Sequence, residues 1–254
     1  MRLVAARWRR RPASPRLVAQ QLGHAADTAT GMTTTPTARR VLLAGATGLV
    51  GQALLRGLLA DSSVASVHTL GRRAPTIQHP KLHALTVDFR ALPALPPVDE
   101  VYLTLGTTIK QAGSQAAFRA VDFDANLAVA TAARQAGAQR VGLVSAMGAD
   151  AQSRVFYNRV KGELEAALPG LGFETLVIAR PSLLVGDREA LGQPARRGER
   201  WGWVVSRTLG PLIPRGLRPI EAARVAGALL ATVPPAQGRR VLSSGEMQGA
   251  TPVA

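Results

Sequence analysis

The chain has 254 residues, enough to bury the core of one α/β domain, and 46% of them are apolar. It has no Cys, which excludes disulfides, thiolate metal sites and a cysteine nucleophile, and which fits a reducing, cytoplasmic setting. The net charge is +15, and 28 of the 31 basic residues are Arg, but they are scattered with no basic helix and no helix-turn-helix pattern, so no specific nucleic-acid binding is expected.

No apolar run approaches the ~18 to 20 residues of a membrane span, so no membrane partner is expected. The four His do not cluster; His79 and His83 are separated by Pro80, which spoils a helical pair of ligands, and no metal site is expected. Residues 1–38 are rich in Arg, Ala, Thr and Pro without sustained apolar periodicity. This acid-poor start has the composition of a transit peptide. A disordered leader, or translation begun upstream of a start at Met32, is the simpler expectation. Residues 39–254 read as a single domain.

Residues 41–44 are a short apolar run that predicts a strand buried on both faces. Gly45, Gly48 and Gly51 follow, and an apolar helix pattern then begins at Leu49 and Val50. Strand, glycine turn and helix in that order are the context of a dinucleotide site. The glycines permit a tight turn and close approach of backbone to pyrophosphate, and the helix N-terminus offers free N–H groups. A second strand is predicted over 64–70, ending in Gly71-Arg72-Arg73. At this point, about 20 residues past the turn, an NAD-selective site carries an acid for the ribose 2′-hydroxyl. Two guanidinium groups instead suit a 2′-phosphate, which points to NADP(H) over NAD(H).

A third strand over 82–87 ends at Asp88-Phe89, where an acid would accept from the adenine amino group or would cap a turn. A fourth, over 100–105, closes with Leu105, Gly106 and Thr107, small enough at Gly106 to let backbone approach a cofactor. One helix is predicted over 118–136. A fifth strand, over 140–145, ends at Ser145, and Tyr157 and Lys161 follow four residues apart on one helix face. A phenol is a poor acid–base at neutral pH; a neighbouring ammonium and an oxidised nicotinamide ring favour its ionised form. Tyr157 would then exchange the proton that accompanies hydride transfer, Lys161 would hold the nicotinamide ribose, and Ser145 would hydrogen-bond the substrate oxygen. A sixth strand over 174–179, a helix over 219–232 and a last strand over 239–243 complete the pattern. Residues 187–218, with Trp201 and Trp203 near Arg196, Arg197 and Arg200, read as a small substrate-side lid. The whole predicts an α/β fold, a doubly wound parallel sheet.

The succession Gly-Ala-Thr-Gly-x-x-Gly, Gly-Arg-Arg, Leu-Gly-Thr-Thr, Ser-Ala-Met-Gly-Ala, Tyr-x-x-x-Lys-Gly-Glu and Arg180-Pro181-Ser182 resembles the short-chain dehydrogenase/reductase superfamily. The resemblance runs from about Val41 to Arg188. It is nearest to the atypical branch that includes the animal Tat-interacting protein and many uncharacterised bacterial proteins. It implies a Rossmann fold and NADPH binding. Gly45, Thr47, Gly48, Leu49, Val50 and Gly51 would line the pyrophosphate, Arg72 and Arg73 the 2′-phosphate, and Lys161 the ribose. In extended relatives the Arg180-Pro181 segment begins the substrate-side wall, and both residues are counted with those near the cofactor.

These residues predict an NADPH-dependent oxidoreductase of a small carbonyl-type or quinone-like substrate, working as a monomer or homodimer. Animal members of the branch act mainly as regulators through protein partners, so an NADPH-binding regulatory or scaffold protein is the alternative. A nucleotide-sugar epimerase or dehydratase is a further one, disfavoured because only some 70 residues follow Arg180-Pro181.

Overall fold

The structure, a computed structural model, describes residues 38–185 and 214–253. The expected lid, with its Trp and Arg residues, lies almost wholly outside the described residues, as do positions 1–37. Seven parallel strands form the main sheet: β1 (Arg39–Ala44), β2 (Val64–Gly71), β3 (Leu82–Thr86), β4 (Glu100–Leu103), β5 (Arg140–Val144), β6 (Thr175–Arg180) and, last in sequence, β9 (Gly238–Ser243). Their order is β3-β2-β1-β4-β5-β6-β9, so the chain reverses its direction of winding between β1 and β4. That reversal opens a crevice at the carboxyl ends of the two strands, the place where such sheets take their ligands. Two short strands, β7 (Leu184–Val185) and β8 (Ile220–Glu221), pair apart from the main sheet.

The continuous apolar runs follow from burial on both faces. In β1, Val41 and Leu43 enter one core and Leu42 and Ala44 the other; in β6, Val177 and Ala179 part from Leu176 and Ile178 in the same way. The first core is roofed by α1 (Leu49–Ala60) through Val50, Ala53, Leu54 and Leu58, and by α6 (Ala222–Thr232) through Val225, Ala226 and Leu229. The second is roofed by α4 (Asn126–Gln135) through Val129, Ala130 and Ala133, and by α5 (Phe156–Ala167) through Leu164.

Three expected elements differ. The helix expected over 118–136 is three pieces: α3 (Gln115–Arg119), a π-helical segment Ala120–Ala125, and α4. Its cause is polar and local: Asn126 Nδ2 donates to the carbonyls of Leu105, Val121 and Asp122, drawing the widened turn against the end of β4. The fourth strand stops at Leu103, because the Thr104 backbone and hydroxyl both turn back to the Ala44 carbonyl. The helix expected from 219 begins at Ala222, since Ile220 and Glu221 are held as a strand.

The glycine turn is enforced by packing within the protein itself. Gly45 has φ of +90°, open to glycine and strained for any residue with a Cβ. A methyl group at Gly51 would fall on the Gly45 carbonyl oxygen, backbone that cannot swing away. Gly51→Ala should therefore destabilise the fold by about 1–3 kcal/mol through overpacking. Gly170→Ala, where a Cβ meets nothing within 4 Å, should change stability by less than about 1 kcal/mol. Urea unfolding of the two variants beside the parent checks both; equal midpoints would remove the packing argument.

Candidate active site

The first turn of α1 is built to face an anion. Gly48 is its N-cap and supplies no side chain, no side chain caps this end, and the first turn holds no acid. Its amide N–H groups thus have neither a helical partner nor a competing carboxylate. A Cβ at Gly48 would meet only the Gly45 carbonyl oxygen, at 3.4 Å, so the turn stays open. Thr47, Leu49 and Val50 complete it, with Val50 buried and the other two half-buried. At the end of β2, Arg72 and Arg73 are exposed and bond to none of the described residues.

Asp88 takes the turn-capping geometry. Its carboxylate accepts from the Arg90 backbone N–H at 3.0 Å and from the Arg90 guanidinium. Both its oxygens are engaged by Arg90, so the adenine contact allowed for Asp88 is not prepared here. Phe89 packs partly against the second core, as does Leu105, whose carbonyl is bound by Asn126.

The chemistry concentrates on α5. Tyr157, Lys161 and Glu165 succeed one another at four-residue spacing, so one face carries a phenol, an ammonium and a carboxylate. Tyr157 lies half-buried with its ring 5.5 Å from that of Phe118. Lys161 is buried, and its Nζ stands 2.8 Å from Oδ1 of Asp122, itself without solvent exposure. Asp122 projects from the π-helical segment, and its Oδ2 accepts from the Thr107 backbone N–H at 2.9 Å. Burial alone would push the Lys161 ammonium down; Asp122, helped by Tyr157 and Glu165, outweighs burial and leaves it above the ordinary lysine value. Above the pair sits Gly106, where a Cβ would stand 3.5 Å from Asp122 Oδ1 and 3.7 Å from Lys161 Nζ. The missing side chain leaves a place beside a fixed positive charge. With the open turn of α1, it fits a dinucleotide laid across the crevice.

Ser145 differs from expectation. Its hydroxyl is buried and donates to Glu165 Oε1 at 2.5 Å. Arg180 forks onto the same carboxylate, Nη2 reaching Oε2 at 2.6 Å and Nε reaching both oxygens at 3.1 and 3.2 Å. The physical reason is Glu165, a buried acid that needs donors and draws both side chains to itself. The Ser145 proton is therefore not directed to a substrate oxygen, and the Arg180 guanidinium is not directed to a cofactor. Pro181 contributes its carbonyl, which accepts from Met147 N–H and ties the loop after β5 to the loop after β6. Gly162 lets the loop after β5 lie against α5, since a Cβ there would fall on the backbone of Asp150 and Ala151.

The structure thus brings together Gly106, Thr107, Tyr157 and Lys161, and attaches Ser145 and Arg180 to the same helix through Glu165. Asp122, Asn126 and Glu165 are the residues that sequence reading missed. Glu165 carried a signal, eight residues past Tyr157 on the same face; Asp122 carried none while the segment was read as regular α-helix. Among the described residues no group of His, Asp or Glu has the arrangement of a metal site, and no helix is long and apolar enough to cross a membrane.

Comparison with known proteins agrees with this geometry. A family model described as NAD(P)H-binding matches residues 45–169. "Protein FMP52, mitochondrial" of Chaetomium globosum is 38% identical over 162 residues, covering 61% of this chain and 70% of that protein. The Candida albicans protein of the same name is 34% identical over 193 residues, covering 71% and 82%. Among solved structures, MoeE5 in complex with UDP-glucose and NAD superposes with a TM-score of 0.58 at 19% identity, over 84% of this chain and 83% of that one. A UDP-N-acetylglucosamine 4-epimerase from Methanobrevibacter ruminantium M1 superposes with a TM-score of 0.60 at 15% identity, over 81% and 76%. At these identities the superpositions speak for the fold. The relatives correct one expectation: they are named as mitochondrial proteins, which conflicts with the cytoplasmic location inferred from the absence of Cys. Cysteine content reports redox conditions and does not distinguish one reducing compartment from another.

The buried pair has a thermodynamic signature. Asp122→Asn leaves the Lys161 ammonium buried without a counter-ion, and should cost about 3–5 kcal/mol of stability. Asp122→Asn combined with Lys161→Met removes both charges and should recover more than half of that loss. Chemical unfolding of the parent, the two single variants and the double variant measures the coupling; a double variant no more stable than Asp122→Asn alone would contradict it.

Proposed function

The chain belongs to the family of the FMP52 proteins and matches an NAD(P)H-binding model over residues 45–169, and from that premise we propose that it is an NADPH-dependent oxidoreductase of short-chain dehydrogenase/reductase type, reducing a small carbonyl-type substrate. One observation carries the reading. A buried, charged Lys161, fixed by Asp122 one helical turn from Tyr157, sits under the small residue Gly106 at the carboxyl edge of the sheet. That placement sets a phenolic proton donor and a fixed positive charge one helical turn apart on the face of α5 that carries both.

Within this reading the α1 turn, Gly45 to Gly51, holds the pyrophosphate on backbone N–H groups. Arg72 and Arg73 would flank the adenosine 2′-phosphate, where their exposed guanidinium groups support NADPH over NADH. When bound, the coenzyme would supply a hydride, and thus two electrons, for a carbonyl carbon. Tyr157 would deliver the proton to the carbonyl oxygen, and Lys161 would hold the ribose. Phe118 sets the tilt of the Tyr157 ring from the side. An NADPH-binding protein without turnover is the second reading, and the engagement of Ser145 by Glu165 favours it: the hydroxyl that would steady a substrate oxygen is already donated.

Tyr157→Phe separates the two. NADPH oxidation against a panel of aldehydes, ketones and quinones should fall by at least about 100-fold in kcat/KM. NADPH affinity, by calorimetry, should stay within about threefold, since an edge hydroxyl contributes little to holding the adenosine end. A parent that binds NADPH yet oxidises it with no member of the panel supports the second reading. The coenzyme preference is tested independently: Arg72→Asp with Arg73→Ala should erase any preference for NADPH over NADH, through loss of charge complementarity and new repulsion. An unchanged preference would remove these arginines from the site.

A further inference from the structure

Large hydrophobic side chains are unevenly placed on the surface. Six are exposed among the described residues, and five of them, Ile109, Met147, Val155, Leu183 and Leu217, lie in the segments around the carboxyl ends of β4, β5 and β6. Scattered apolar side chains need no explanation, but a cluster at the ligand edge of the sheet does.

Three of the segments are bonded into one wall. Met147 N–H donates to the Pro181 carbonyl at 2.9 Å, the Ser182 hydroxyl to the Arg218 carbonyl at 2.5 Å, and Ile220 N–H to the Leu183 carbonyl at 2.9 Å. Met147, Leu183 and Leu217 therefore sit on loops that hold each other. A fourth tie, from Asp150 N–H to the Asn158 carbonyl at 3.0 Å, fastens this wall to the first turn of α5. That turn carries Tyr157, and Val155 caps it. Met147, Leu183 and Val155 expose 44%, 44% and 58% of their surface, so the wall tied to the first turn of α5 carries exposed apolar side chains.

Resting on the oxidoreductase reading, we propose that the substrate is a carbonyl carried on an extended apolar chain, which lies along Met147, Leu183 and Leu217 while the carbonyl meets Tyr157. The reaction balances with the coenzyme already invoked. Hydride from NADPH forms the new C–H bond, the π pair of the C=O moves to oxygen, and oxygen takes the Tyr157 proton. NADPH is oxidised and the chain ends as an alcohol. The wall supplies binding energy from parts of the substrate remote from the bond that changes.

The test is a series of straight-chain aldehydes from butanal to decanal, assayed with NADPH and the full chain. Each added methylene that reaches the wall should raise kcat/KM by about fourfold, the factor for burying one CH₂. Met147→Ser with Leu183→Ser should collapse the decanal-to-butanal ratio toward one; both side chains are exposed, and the melting temperature verifies the fold. Turnover that is independent of chain length, or a ratio that survives the double substitution, overturns the apolar-chain proposal and leaves the oxidoreductase reading standing. Failure of every aldehyde, with NADPH binding intact, defeats the oxidoreductase reading and the apolar-chain proposal together.

Discussion

An ammonium group cannot be buried alone. Removing one from water costs of order several kcal/mol even after relaxation, and the protein must answer that cost with a counter-charge and with donors for the counter-charge. Here Asp122 answers for Lys161, and the Thr107 N–H answers for Asp122. Those requirements pin three elements at once: the loop after β4 gives the N–H, the π-helical segment gives the carboxylate, and α5 gives the ammonium. The widened turn is part of the solution, because it carries Asp122 and is anchored by Asn126 to the carbonyl of Leu105 in the β4 loop. The glycine turn of α1, set against Thr104 and the end of β1, faces the same crevice.

The opposite edge of the sheet uses similar chemistry to another end. Arg39 at the start of β1 bonds Glu100 at the start of β4 at 2.7 Å and Asp61 after α1 at 2.5 Å, and the buried Tyr102 hydroxyl donates to Glu100 at 3.3 Å. Burial pushes the Glu100 carboxyl up, and Arg39 only partly offsets it. This network lies at the amino ends of the strands, away from the crevice, and locks β1 to β4 where the two halves of the sheet meet. Charged clusters thus stand at both ends of the same strand pair, one fixing register at the amino ends and the other beyond the carboxyl end of β4.

Most of the sheet was legible because its strands are buried on both faces and therefore read as unbroken apolar runs: 41–44, 101–103 and 176–179 leave no alternation to mistake for a surface strand. The glycine turn was legible because the steric demand at Gly45 and Gly51 admits no other residue. What was hidden depended on partners far apart in sequence. Nothing in the 118–136 pattern announces a π turn, since one inserted residue barely disturbs an Ala-rich apolar face; it is the carbonyl of Leu105, 21 residues before Asn126, that widens it. The pairing of Ser145 with Glu165 was hidden likewise, because a serine 12 residues before a tyrosine reads the same whether its proton faces a ligand or an internal acid. Compartment was beyond the reach of a cysteine count altogether.

That serine sets how the site divides its labour. With Arg180 forked onto Glu165, the carboxylate is fixed in place and the Ser145 hydrogen is committed to it. What Ser145 can still present to the crevice is a lone pair, an acceptor. A carbonyl oxygen entering the site gains nothing from an acceptor and must find its donor elsewhere, and among the residues gathered here that donor is the Tyr157 hydroxyl. A hydroxyl-bearing ligand, by contrast, could donate to Ser145 while accepting from a neighbour. A carbonyl ligand here would therefore rely on Tyr157 for its donor unless Glu165 releases its hold on Ser145. Which donors the trio visible in the sequence can offer is thus set by Glu165, two helical turns past Tyr157.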